Sequence, residues 1–177
     1  MGVRAGEPER SEGRRVLEAD SFAVCFDVDP VDADRDEYQD HLNNTAAVRM
    51  FNELRIAYVA ARFAPDWPRL LRARQLALVV RELHVLYESE GWMHERYVGA
   101  TRVVRRAGQS AVLEQRLVEA GTGRALARAW LVQLLVGPDG RVTAWPDRYF
   151  EQVAEVQGAP VPVVDVAPRP PWGPPPR

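Results

Sequence analysis

Residues 37–55 read EYQDHLNNTAAVRMFNELR, a polar and acidic loop that runs directly into a helical pattern. From Asn44 onward, apolar residues recur at steps of three and four, which is typical of an amphipathic helix with one buried face. Asparagine is a favoured capping residue, and Pro65 lies just beyond the expected helix end. We therefore predict a helix of about five turns over residues 44–62, whose buried face carries Ala47, Met50, Phe51, Leu54, Tyr58 and Ala61.

After this helix the apolar period changes from that of a helix to that of a strand. Alternation predicts strands over residues 21–28, 76–87, 95–106, 110–119 and 124–136. The connections between the last four carry turn residues and are short, which favours an antiparallel meander. Residues 146–157 resemble a terminal helix.

This order predicts an α+β fold in which a five-stranded antiparallel sheet wraps around one long central helix, with a short C-terminal helix. A single helix cannot cover both faces of such a sheet. We therefore expect a homodimer or a dimer of dimers, in which matching faces cover one another.

The chain has 177 residues, enough for one domain. We expect that domain to occupy residues 20–157, after a flexible N-terminal arm over residues 1–19. Residues 158–177 hold eight of the fourteen prolines and predict an extended, mobile tail.

Composition excludes several classes of function. A formal net charge of −2 lacks the basic footprint of a nucleic-acid-binding protein. All 23 basic residues are arginine, so lysine Schiff-base and P-loop chemistry are excluded. Cys25, the only cysteine, excludes an internal disulfide and a thiolate zinc site. No apolar run approaches the roughly 20 residues of a membrane span, and no secretory signal is present, so we expect a cytoplasmic protein without a membrane partner.

The loop before the helix carries the candidate chemistry. Residues 27–40 contain seven acids and one arginine. Most such runs are solvated, but a carboxylate next to a helix N-terminus can activate water beside unpaired backbone amides. Glu37, Asp40 and Asp36 are the candidate carboxylates, and Asn43 and Asn44 are also candidate helix caps. No G-x-S-x-G motif is present, which excludes an α/β-hydrolase thioesterase.

The same stretch resembles the D-x-x-G-H-V-N-N-x-x-Y-x-x-x-x-E-x-x-R signature of hotdog-fold acyl-CoA thioesterases, the 4-hydroxybenzoyl-CoA thioesterase-like group. We align His41, Asn43, Asn44, Glu53 and Arg55 with the signature without a gap. Together with the order of elements, the resemblance extends over about residues 20–150, so it implies a hotdog fold.

The resemblance implies hydrolysis of an acyl-CoA or acyl-carrier-protein thioester to a free acid and a thiol. No cofactor is needed beyond the coenzyme A of the substrate, and no metal site is expected. Glu37 stands where the family has its catalytic aspartate and becomes the nucleophile or general base. The Asn44 amide becomes the oxyanion donor, with Asp40 and His41 as helpers.

Substrate-binding candidates follow from the same pattern and from the strand arginines. The helix side chains would form an acyl pocket wall, and the arginines would meet the phosphates of coenzyme A. These candidates are Asn43, Met50, Phe51, Glu53, Leu54, Tyr58, Arg102, Arg105, Arg106 and Arg128.

Two departures from the signature keep alternatives open. Glu37 replaces aspartate and Asp40 replaces glycine, which moves the carboxylate by one methylene and alters the turn. A non-catalytic acyl-thioester-binding hotdog protein is therefore an alternative. A hotdog hydratase or dehydratase is another, and His41 is its only candidate base.

Overall fold

The long helix α2 is the centre of the molecule. In the computed structural model, which describes residues 3–4, 11–62, 67–73 and 75–165, α2 spans Asn44–Arg62 as the apolar spacing predicts. Its inward side chains Met50, Leu54 and Tyr58 are fully buried against the sheet. Gly99 lies directly under Leu54. A Cβ atom at position 99 would overlap the leucine side chain, so the close packing of α2 on the sheet requires glycine there.

The sheet confirms the α+β hotdog architecture, and it has seven strands within the described residues. The predicted strands appear as β2 (Cys25–Val28), β3 (Ala77–Tyr87), β4 (Tyr97–Ala107), β5 (Ser110–Glu119) and β6 (Ala125–Val136), with β1 (Val3–Arg4) and β7 (Val142–Thr143) as short additions. The order is β1-β2-β4-β5-β6-β3, and β7 pairs with β6. All these pairs are antiparallel.

The meander prediction is wrong for β3, which lies beside β6 and not beside β4. Residues 88–96 connect β3 to β4 across the end of the sheet. Nine residues can span about 30 Å when extended, whereas three strand spacings amount to only about 14 Å. The short connection therefore permits a crossover as readily as a hairpin.

The prediction of a flexible arm over residues 1–19 is wrong for its second half. Helix α1 spans Glu12–Ala19, with Ser11 as its cap. Leu17 is fully buried and forms a second apolar cluster with Phe22, Val98, Ala100 and Val118. This cluster covers part of the sheet face opposite α2, which the central helix cannot reach.

The C-terminal part of the chain also packs on the sheet. After α3 (Trp67–Arg72) and the strands, α4 spans Asp147–Gln157 and ends at Gly158 in the left-handed conformation. The Arg106 amide donates to Pro162 O and Arg106 O accepts from the Val164 amide, at 2.9 Å each. The mobile-tail prediction is therefore wrong for residues 161–164, and residues 166–177 lie outside the described residues.

The described helices include none that is both long and apolar enough to cross a membrane.

Replacing Leu17 with alanine tests whether α1 is part of the folded domain. Because Leu17 is fully buried, Leu17→Ala is expected to lower the free energy of unfolding by about 2–5 kcal/mol. Urea denaturation measures the change. Glu18→Ala, at the exposed neighbouring position, is the matched control and should shift the free energy by less than about 0.5 kcal/mol. Equal stability of the two variants would show that α1 does not pack.

Candidate active site

Asn43 fixes the N-terminus of α2. Its Oδ1 accepts from the amides of Thr45 at 2.9 Å and Ala46 at 3.0 Å, which is ordinary N-cap geometry. Its Nδ2 donates to Ala33 O at 2.9 Å. One side chain therefore caps the helix and holds the preceding loop, in agreement with the capping role expected from the sequence.

A buried ion pair attaches the same loop to the side of α2. Asp34 is 2% exposed and accepts from Arg49 Nε at 2.7 Å and Nη2 at 2.5 Å. Arg49 Nη1 also donates to Glu53 Oε1 at 2.8 Å. Burial acts to lower the pKa of Arg49, but the Asp34 and Glu53 carboxylates hold that pKa above its ordinary value. The sequence analysis missed this pair because Asp34 stands in a run of acids that resembles a solvated loop.

Residues 35–42 form a small hairpin between this anchor and the helix. Arg35 pairs with Leu42 in a β-bridge, and the Asp36 amide donates to His41 O at 2.9 Å. Glu37 lies at the exposed tip, where its carboxylate has no hydrogen-bond or ion-pair partner among the described residues. Asp40 is exposed and paired with Arg35.

The crossover segment 88–96 packs along this hairpin. The Leu42 amide donates to Gly91 O at 2.8 Å, and His41 bridges Trp92. Glu95 of this segment forms an ion pair with Arg124, in which Oε1 lies 2.7 Å from Nη2. Burial opposes ionisation of Glu95, but hydrogen bonds from Tyr97 and Arg124 lower its pKa below the ordinary value. The crossover is therefore held rigidly beside the helix N-terminus.

A cleft of about 370 Å³ opens where these elements meet. Its walls come from the hairpin, the first turn of α2, the end of β3 and the crossover. The lining residues are His41, Leu42, Asn43, Asn44, Ala47, Tyr87, Glu88, Ser89, Glu90, Gly91 and Leu126. The sequence predicts residues 88–91 only as part of a turn. They reach the helix because of the strand order, which apolar periodicity does not report.

The helix N-terminus gives this cleft an anion-stabilising end. Tyr87 Oη donates to Asn44 O at 2.5 Å and holds the first turn against β3. The Asn44 amide has no hydrogen-bond partner within the described part of the chain. The first amides of a helix carry partial positive charge, so a developing oxyanion in the cleft is favoured there.

The predicted catalytic residues are only partly brought together. His41 and Asn44 line the cleft, whereas Glu37 and Asp40 are not among its lining residues. His41 Nε2 lies 3.7 Å from Asp36 Oδ2, and His41 Nδ1 lies 3.2 Å from Gln39 Oε1. The carboxylates that do line the cleft belong to Glu88 and Glu90.

The helix residues expected to bind the acyl group have mixed placements. Met50, Leu54 and Tyr58 lie in the core, and Tyr58 Oη donates to Gln157 Oε1 at 3.0 Å. Phe51 is buried but also lines a second cavity. Glu53 is held by Arg49.

The assignment of Glu53 to the signature is off by one residue. The signature has its glutamate three residues before the arginine, and in this chain that position is Asn52. Asn52 Oδ1 accepts from Arg55 Nη2 at 2.6 Å. The helix therefore carries an amide where the signature has a carboxylate.

The strand arginines proposed for coenzyme A phosphates make other contacts. Arg102 pairs with Glu114 at 2.6 Å and stacks over Phe22. Arg106 pairs with Asp147 at 3.1 Å, and Arg105 is half-buried on β4. Arg128 lies 3.5 Å from Glu88, a residue of the cleft, so of these four it is the one that an ion pair links to the cleft.

The described residues contain no cluster of three or more histidine, cysteine, aspartate or glutamate side chains suited to a metal ion. Burial raises the pKa of the Cys25 thiol to about 11, which keeps it protonated and unreactive at neutral pH.

Comparison with known proteins gives a consistent picture. A family model described as the thioesterase-like superfamily matches residues 27–164. A thioesterase from Thermus thermophilus, complexed with coenzyme A and Zn, superposes with a TM-score of 0.67 at 24% identity, covering 79% of this chain and 98% of that one. A thioesterase-superfamily protein from Jannaschia superposes at 0.68 with 20% identity, covering 82% and 90%. A 1,4-dihydroxy-2-naphthoyl-CoA thioesterase from Synechocystis superposes at 0.64 with 11% identity, covering 74% and 95%. A search of curated proteins finds no significant match.

Replacing Asp34 with asparagine tests the anchor of the loop. Asp34→Asn weakens two charge-assisted hydrogen bonds from Arg49, which keeps its pair with Glu53, so the free energy of unfolding is expected to fall by about 1.5–3 kcal/mol. Denaturant unfolding measures the loss. Asp32→Asn, at an exposed position two residues away, is the control and should change stability by less than about 0.5 kcal/mol. An unaltered Asp34→Asn protein would mean that the ion pair does not hold the loop.

Proposed function

We propose, from the premise that the chain belongs to the thioesterase-like superfamily, that it hydrolyses an acyl thioester of coenzyme A or acyl carrier protein. The products are the free acid and the thiol. The observation that carries this proposal is the N-terminus of α2, whose first residue, Asn44, lines a cleft of about 370 Å³.

The proposed reaction assigns two groups to two tasks. Glu37 takes a proton from water, and the resulting hydroxide attacks the thioester carbonyl carbon. The carbonyl oxygen becomes an oxyanion that the Asn44 amide and the helix dipole stabilise. Collapse of this intermediate breaks the carbon–sulfur bond, and the thiolate takes the proton from Glu37. Water, a carboxylate and backbone amides suffice, so the proposal includes no cofactor.

Coenzyme A enters this proposal as part of the substrate. Support comes from the superposed thioesterase of Thermus thermophilus, which is complexed with coenzyme A. On this chain the nucleotide would lie outside the cleft mouth, with Arg128 as the nearest of the candidate arginines through its contact with Glu88.

A non-catalytic acyl-thioester-binding protein is the second candidate function. The observation that favours it is the position of Glu37, which is exposed at the hairpin tip and absent from the cleft lining. A binder would keep the helix N-terminus and the cleft but release no thiol.

The assembly that we propose is a homodimer formed through β3. This strand pairs with β6 on one side, and no described strand pairs with its other edge. Val79, Val80 and Leu83 on β3 are each more than a third exposed. A long apolar edge strand is normally covered, and a second β3 provides a matching edge.

Replacing Glu37 with glutamine tests the proposed mechanism. The amide cannot accept the proton from water, so thiol release from an acyl-CoA panel is expected to fall by about a hundredfold or more. Affinity for acyl-CoA should stay within a few-fold, because glutamine keeps the volume. Glu37→Asp should retain activity, since it restores the residue of the signature.

Asp40→Asn and Glu90→Gln are the matched comparisons for this test. Asp40 is paired with Arg35, and Glu90 lines the cleft. Both variants should hydrolyse thioesters at near the wild-type rate. If either loses activity while Glu37→Gln keeps it, the catalytic carboxylate has been misassigned. If the wild-type protein binds acyl-CoA and releases no thiol, the chain is a binder.

Light scattering tests the proposed dimer. We expect wild-type protein at micromolar concentration to have at least twice the mass of the 19.9 kDa chain. Val79→Arg places a charge at an exposed position of β3 and should shift the mass toward that of one chain. Val142→Arg, at an exposed position on β7, should leave the dimer intact. A wild-type mass equal to one chain would contradict the proposed assembly.

A further inference from the structure

A second cavity, of about 230 Å³, lies between α2 and β3. Val48 and Phe51 from α2 and Leu83 and Leu131 from the sheet give it apolar walls. One charged side chain lines it, that of Arg55, which is 6% exposed. A buried cation in an apolar cavity requires a compensating partner.

The partners of Arg55 are all neutral. Its Nη2 donates to Asn52 Oδ1 at 2.6 Å, and its Nη1 donates to Gln133 Oε1 at 3.2 Å and Leu78 O at 3.4 Å. Among the residues that the structure describes, no carboxylate forms an ion pair with this guanidinium. Burial lowers the pKa of Arg55 from its ordinary value, and arginine nevertheless stays charged.

Two fully buried glutamines beside the cavity also have polar atoms without partners. Gln115, which lines the cavity, uses Nε2 to donate to Phe51 O and Thr101 Oγ1 but leaves Oε1 unpaired. Gln133, in contact with Arg55, leaves Nε2 unpaired. The floor therefore combines an uncompensated cation with one unused donor, Gln133 Nε2, which is the chemistry of a site for an anionic group, whereas the unused Gln115 Oε1 can only accept a hydrogen bond.

The cavity and the active-site cleft lie one after the other along α2. Asn44 and Ala47 line the cleft, whereas Val48, Phe51 and Arg55 line the cavity on the same face of the helix. Eleven residues of helix separate the Asn44 amide from Arg55, a rise of about 16 Å. The path that we infer for an acyl chain whose thioester carbonyl lies at Asn44 therefore runs along this face of the helix toward Arg55.

We propose that the cavity binds an alkyl carboxylate with its anionic group on Arg55, and that the preferred substrate is the monothioester of a dicarboxylic acid. The apolar walls hold the chain, and the Arg55 guanidinium holds the carboxylate at the end far from the thioester. The second part of this inference rests on the proposed thioesterase function. The first part, binding of a carboxylate, does not.

Asn52 is the position that allows the cavity to accept an outside carboxylate. It stands one helical turn before Arg55, and its side-chain amide, which accepts from Arg55 Nη2, is neutral. A glutamate there would pair with Arg55 inside the protein and leave no cation for the ligand. Asn52→Glu is therefore the most informative variant, because it supplies a carboxylate to Arg55 from within the protein and keeps Arg55 in place.

The first experiment compares two thioesters that differ only at the far end of the acyl chain. Wild-type kcat/KM for the coenzyme A monothioester of decanedioic acid should exceed that for decanoyl-CoA by about tenfold, the value of one charge-assisted hydrogen bond. Asn52→Glu and Arg55→Gln should each abolish this preference. Arg148→Gln, an exposed arginine on α4, should retain it. Equal rates for both thioesters with wild-type protein would overturn the substrate assignment.

The second experiment measures binding without hydrolysis. Calorimetry should detect octanoate binding to the wild-type and Arg148→Gln proteins, no binding of octanol, and at least a tenfold loss of octanoate affinity in Asn52→Glu and Arg55→Gln. Asn52→Glu should also raise Tm in the absence of ligand, because Arg55 gains a carboxylate. If thiol release fails with every thioester but octanoate binds in this pattern, the site stands and the thioesterase proposal falls.

Failure of octanoate to bind the folded wild-type protein would overturn the site. The site is also overturned if Arg55→Gln dissociates the dimer while octanoate has no effect on the dimer. In that case the carboxylate that pairs with Arg55 belongs to a second copy of the chain.

Discussion

A buried ion pair between Asp34 and Arg49 fixes the position of the loop that precedes α2, and the candidate site depends on that position. The loop carries seven acids, so its own electrostatics oppose a compact conformation. Arg49 pairs with two of the nearby carboxylates, Asp34 and Glu53, at the point where the loop meets the helix. Together with the Asn43 cap, it holds the hairpin 35–42 at the helix N-terminus and not in solvent.

The chemistry of the cleft follows from this arrangement. The first residue of a 19-residue helix lines the cleft, and residues 88–91 of the crossover line its other side. The position of Glu37 at the exposed hairpin tip leaves two possibilities, hydrolysis with the tip turned toward a bound thioester, or binding alone. The unpaired edge of β3 borders the same cleft through Tyr87, so a second chain on that edge would lie next to the bound substrate.

Much of the fold could be predicted from the sequence, because periodicity reports which side chains share a face. The spacing of Met50, Leu54 and Tyr58 gave α2 at its observed bounds, and alternation gave β5 likewise. Periodicity does not report which strand lies beside which, so β3 was placed next to β4. Periodicity for the same reason does not predict residues 88–91 as site residues, since they reach the helix only through the crossover.

Other features escaped because their partners are distant in sequence. In the sequence Asp34 resembles a solvated acid, and Arg49 lies beside it only in the fold. Leu17 resembles part of a polar arm, and only the fold places it against the uncovered face of the sheet. Spacing to the signature located Asn44 but misplaced its glutamate, which falls on Asn52. That substitution leaves Arg55 buried among neutral groups, a fact that only the packed structure displays.

In the function that we propose, the Asn44 amide polarises a thioester carbonyl. NMR of the wild-type protein can test it directly, with an acyl-CoA analogue in which a methylene group replaces the thioester sulfur, so that no hydrolysis occurs. The Asn44 amide proton should move downfield on saturation, by more than any other amide of α2, because the analogue's carbonyl oxygen accepts its hydrogen bond. An unchanged Asn44 resonance in a protein saturated with the analogue would contradict the claim.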